Sequence, residues 1–184
     1  MIKSSGERDY LLMQEADPIF LNRQRSIQMD VRDYTKPISA EGPDNADVML
    51  VGQNPGREEA AQGRPFVGRS GRYLNQVLQK FDLDRDKLYI TAVVKVPTPG
   101  NRMPNAREVR QWMDVLENEI KQVKPEIVVL MGQLAWKTPR HQGIEYIETY
   151  HPAAAMRFPK ARERFEKDFE ELSRKIRGFK SSEM

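Results

Sequence analysis

Beyond residue 46 the sequence alternates short apolar runs with amphipathic ones, and this alternation constrains the fold more than any other feature. DVMLVG (47–52), LYITAVVKV (88–96) and EIVVLM (126–131) have strand length and are rich in aliphatic residues, and 144–149 is a fourth run of strand length. Between them lie helical patterns. Ser70 opens a helix over 70–81 as its expected N-cap, with Tyr73, Leu74, Val77, Leu78 and Phe81 on one face. Asn105 caps a long helix whose inner face is Val109, Trp112, Met113, Leu116, Ile120 and Val123. A short helix is expected around 133–137, and a last one carries Phe165, Phe169, Leu172 and Ile176. Strands that alternate with helices imply a mainly parallel sheet covered on both faces.

The chain has 184 residues, which suits one α/β domain. Residues 7–29 read as a helical segment and 35–46 as a turn-rich connector. The expected organisation is a single domain over 1–184, with an N-terminal segment and connector over 1–46 and an α/β core over 47–178. No apolar run reaches the ~18 residues of a membrane span, and no signal-peptide core opens the chain, so a cytoplasmic protein without a membrane partner is expected. The absence of cysteine excludes disulfides, thiol nucleophiles and cysteine-held metals. A net charge of +3 permits a nucleic-acid partner but does not demand one.

Ligands of parallel α/β sheets bind beyond the carboxyl ends of the strands. Three informative loops lie there: 52–56 (GQNPG), 97–104 and the His151-Pro152 step, and they should converge on one cleft. GQNPG is not a P-loop, since no Gly-Lys-Ser/Thr follows. Asn54 is either a water-holding amide or a turn former. His151 is either a structural residue or a hydrogen-bond donor to an oxygen that gains charge. Phe66, within GRPFVGR, is either a platform for a stacked base or a loop anchor. Arg57, Arg64, Arg69, Arg72, Arg102 and Arg157 surround these loops as phosphate contacts or as a solvated rim.

Taken together, GQNPGREEAAQGRPFVGRSGRYLNQVL, YITAVVKVPTPGNRMP and YHPAAAMR resemble, in order, the three motif regions of the family 4 uracil-DNA glycosylases and the related phage polymerase-associated domains. The resemblance spans roughly 47–175. It implies a three-layer α/β/α fold around a four-stranded parallel sheet. Asn54 would orient the attacking water, and His151 would hydrogen-bond the base carbonyl. Phe66 would stack on the flipped base, with Gly52, Gln53 and Ala92 around it. Arg57, Arg69, Ser70, Arg102, Met156 and Arg157 would contact DNA, Met156 acting as a wedge in the segment 153–157. Three departures stand out. Family 4 members hold an iron–sulfur cluster on four cysteines, and this chain has none. Their first motif carries Glu-Ala at Gln53-Asn54; Asn before Pro-Gly is similar to the mismatch-specific and hypoxanthine-type branches. Their second strand ends Thr-Asn, where this chain has Thr91-Ala92.

The expectation is a monomeric, monofunctional DNA glycosylase, nucleoid-associated, acting on DNA that contains a deaminated base. Uracil is the expected base and hypoxanthine the alternative. No cofactor or metal is expected, and no lysine occupies an obvious Schiff-base position for strand cleavage. A non-catalytic DNA-binding member of the superfamily is the rival reading, and a hydrolase of free nucleosides a third.

Overall fold

In the computed structural model, residues 36–182 are described; the expected helix over 7–29 lies outside them. Four strands, β1 (Val48–Gly52), β2 (Tyr89–Ala92), β3 (Ile127–Met131) and β4 (Glu145–Thr149), form one parallel sheet in the order β2-β1-β3-β4. Every residue of β1 and β3 is buried, as central strands with helices on both faces require. Alternate side chains divide between the faces. Val48 and Leu50 pack with Leu74, Leu78, Phe165 and Phe169, whereas Met49 and Val51 pack with Leu116, Ile120 and Leu130.

The helices that supply these faces are α2 (Arg69–Lys80), α3 (Ala106–Val123), α4 (Pro152–Arg157) and α5 (Pro159–Ser182), while the short α1 (Arg57–Gln62) adds no residue to the core. The three-layer α/β/α architecture read from the sequence is the one observed. Asn105 caps α3: its side chain accepts from the N–H groups of Arg107 and Glu108, and the Glu108 carboxylate accepts from Asn105 N–H.

Several expected boundaries are corrected. The N-cap of α2 is Gly68, and Ser70 sits inside its first turn, because the Glu59 carboxylate takes the Gly68 N–H and fixes the helix entry earlier. β2 ends at Ala92 and does not run to residue 96. Val93 and Val94 still donate to the Gly52 and Gln53 carbonyls as the chain leaves the sheet. The 133–137 helix is a single 3₁₀ turn over Ala135–Lys137. The connector does more than link, since Glu41 forms an antiparallel bridge to Ile90 that covers the outer edge of β2. Two helices, α1 and α4, were not expected. Among the described residues no helix is long and apolar enough to cross a membrane.

Candidate active site

The three strand-end loops converge on one cleft of about 680 Å³. Of the residues singled out from the sequence, Gln53, Asn54, Phe66, Ala92 and His151 line it, as do Arg57, Arg69, Ser70, Arg102, Met156 and Arg157. Gly52 lies behind Phe66, where a methyl would stand 2.5 Å from the ring Cζ. The absence of a side chain at Gly52 thus makes room for the tip of the Phe66 ring at the end of β1.

Asn54 is held by one end. Its Nδ2 donates to the Pro55 carbonyl and to Thr98 Oγ1, both at 3.3 Å, and Thr98 in turn donates to the Arg102 carbonyl. With the amide nitrogen engaged, the flip is set and Oδ1 is left as an acceptor. No described residue donates to it.

His151 is the N-cap of α4, and its Nδ1 accepts from Ala153 N–H at 3.1 Å. That bond places the ring proton on Nε2. Burial lowers the pKa to about 4, so the imidazole is neutral at neutral pH and offers one donor. The arrangement suits an oxygen that acquires negative charge, because a neutral donor carries no charge that needs solvation.

Phe66 adopts a left-handed backbone conformation with φ 50°, which is costly for an aromatic residue. Two side chains hold it there. Arg85 donates to the Pro65 and Phe66 carbonyls at 2.7 and 3.2 Å. The buried Glu59 carboxylate accepts from Gly56, Val67 and Gly68 N–H groups at 3.2, 3.0 and 2.7 Å, which ties the Asn54 loop to the Phe66 loop. The Phe66 and His151 ring centroids are 6.0 Å apart.

The wall at the end of β2 is closed off. Lys95 lines the cleft, although its side chain is only 5% exposed. Its Nζ donates to Thr91 Oγ1, the Ala92 carbonyl and Glu119 Oε2 at 2.6, 2.7 and 2.6 Å, and Thr91 donates to Glu119. Burial pulls the ammonium pKa down and Glu119 pushes it back up. A lysine thus does reach the cleft, but each of its three protons has a partner, which leaves no amine poised for a Schiff base.

Five of the six arginines separate into two groups. Arg64, Arg72 and Arg102 are engaged by Glu41, Glu58 and Glu108, the first and the last through two guanidinium nitrogens each. Arg69 and Arg157 have no partner among the described residues. Met156 lies on α4, half-buried. Met103, which also lines the cleft, is 54% exposed and was not singled out in the sequence. Glu59, Arg85, Thr98 and Lys95 were also missed. Only Lys95 left a signal, a charge inside a β-branched run.

Comparison with known proteins decides the family. The model of the uracil DNA glycosylase superfamily matches residues 39–174. This chain belongs to that superfamily. The type-4 uracil-DNA glycosylase of Archaeoglobus fulgidus is 31% identical over 161 residues, covering 75% of this chain and 81% of that protein. The type-4 enzyme of Pyrobaculum aerophilum is 34% identical over 154 residues, covering 71% and 79%. The DNA polymerase of Bacillus phage SP01 is 28% identical over 158 residues, which cover 78% of this chain and 17% of the polymerase. The cluster that the family 4 resemblance implies does not fit this member: the chain contains no cysteine to hold it. Among the described residues no group of three or more His, Asp or Glu could hold a metal ion.

Proposed function

We propose that this superfamily member hydrolyses the bond between a uracil base and its deoxyribose in DNA, the first step in removing a deaminated cytosine. The observation that carries the reading is the pairing, in one cleft, of a neutral imidazole donor at His151 with an amide acceptor at Asn54 whose orientation is fixed by Thr98. A stacked base is out of reach of such groups, so the nucleotide must rotate out of the duplex into the cleft. Stacking on Phe66 holds the base there. As the C1′–N1 bond breaks, its electron pair stays with the base and spreads to a carbonyl oxygen, which receives the His151 Nε2–H bond. A water held on Asn54 Oδ1 adds its oxygen to C1′, and its proton ends on the released base. Arg69, Arg157 and the first turn of α2 at Ser70 hold phosphates, and Met156 enters the space left in the duplex.

The test is a duplex with one uracil, treated with the protein and then with hot alkali, which cuts only at abasic sites. The expected result is a break at the uracil in wild type and its near-loss in Asn54→Ala. Binding without release of uracil or of hypoxanthine would make the chain a non-catalytic DNA-binding member instead.

A further inference from the structure

The floor of the cleft holds a second side-chain donor beside His151. Gln53 follows the last residue of β1, and its Oε1 accepts the Leu134 N–H at 3.3 Å. Gly132, with φ 98°, makes the room. A methyl there would stand 2.8 Å from Gln53 Oε1 and 3.1 Å from His151 Cβ, so the two side chains lie next to each other over one glycine. An amide anchored through its oxygen has its flip decided, and its Nε2 then presents two protons. Neither has a partner among the described residues, and Nε2 is not among the sealed, unsatisfied polar atoms.

The remaining side chains at the strand ends do not compete for this task. The Asn54 amide nitrogen is committed to Pro55 and Thr98. The Lys95 ammonium is committed to Thr91, Ala92 and Glu119. Ala92 itself offers a methyl group.

We propose that the Gln53 amide and the His151 imidazole form a two-donor oxyanion hole that receives the same carbonyl oxygen of the leaving base. The inference rests on the hydrolytic reading above and deepens it. Gln53 Nε2 touches the base and shares the charge that develops as the C1′–N1 bond breaks. Because both groups donate and neither accepts, the site favours a carbonyl over an amino group at the position it holds, and it separates uracil from cytosine only where that position is C4, since both bases carry the C2 carbonyl.

The experiment measures single-turnover release of uracil and of 5-fluorouracil from otherwise identical duplexes. Fluorine stabilises the leaving anion internally, so its departure leans less on the protein. Gln53→Met should slow uracil release about 10²-fold, the scale for one aimed donor, and 5-fluorouracil release much less. Gln53→Asn, which withdraws the amide by one carbon but stays polar, should shift the ratio of the two rates in the same direction. His151→Ala combined with Gln53→Met should cost less than the product of the single losses. Equal slowing of both bases would reduce Gln53 to a structural role, and unchanged rates would remove it from the site; either overturns the inference while uracil release by wild type keeps the hydrolytic reading intact. Wild type that releases neither base would overturn both.

Discussion

The His151 ring sets a pH limit that sequence position alone does not reveal. A histidine at a strand end is expected to titrate near 6.5, yet this one is held neutral down to about 4 by burial. Protonation at Nδ1 would set a donor against the Ala153 N–H it now accepts from, and the ring would have to turn. The folded pKa lies below the unfolded one, so between about 6.5 and 4 the unfolded chain binds more protons, and stability falls as pH drops through that window. Base release is therefore expected to show no His151 inflection between pH 6 and 8 and to fall near pH 4; an NMR titration of the ring beside a pH–rate profile checks both. Removing the side chains is the companion prediction. His151→Ala and Asn54→Ala should each slow release by roughly 10²–10³ with duplex affinity nearly unchanged, as read by single-turnover rates and anisotropy binding. Strand-end position made Asn54, Phe66 and His151 legible in the sequence. Thr98, which fixes the Asn54 amide, was not legible: the partners are 44 residues apart and only the fold joins them.

Among the elements, those with a periodic apolar face were legible and those built by side chain–backbone bonds were not. α3 and α5 announce themselves by buried residues at helical spacing. α1 is six residues, REEAAQ, with no apolar stripe, and its purpose is to place one carboxylate. The β-branched composition of 93–96 is that of a strand, although β2 ends at Ala92. Val93 and Val94 are buried, yet the segment leaves the ladder and turns Lys95 back onto Ala92; burial and pairing produce the same composition. Glu59 tests this account of the loops. Glu59→Ala leaves three N–H groups without their acceptor, two of them on the approach to α2, and should destabilise the fold by about 2–4 kcal/mol. Gly52→Ala, whose methyl would meet Phe66 at 2.5 Å, should instead displace the ring and lower base release with a smaller loss of stability. Melting temperature and uracil release measured on both variants separate an effect on the scaffold from one on the platform.

On the scale of the whole molecule, charge decides how DNA is held. The net charge of +3 is too small to supply binding by itself, and half of the six arginines singled out near the strand-end loops are already neutralised by Glu41, Glu58 and Glu108. The cationic face is therefore narrower than the arginine count implies. Arg69, at the start of α2, and Arg157, at the end of α4, both line the cleft, where phosphates flanking a flipped nucleotide would pass. Each phosphate neutralised releases counterions, so log affinity should fall linearly with log salt, with a slope near −0.9 per contact. Arg69→Ala and Arg157→Ala should each weaken binding to damaged and undamaged duplex alike and reduce the slope by about 1. Arg64→Ala and Arg72→Ala should leave the slope almost unchanged, since those guanidinium groups are spent on carboxylates. Anisotropy titrations at several salt concentrations distinguish the two groups. Equal slope changes for all four variants would mean that the carboxylate pairs open on DNA and that the whole arginine rim, not two positions of it, holds the backbone.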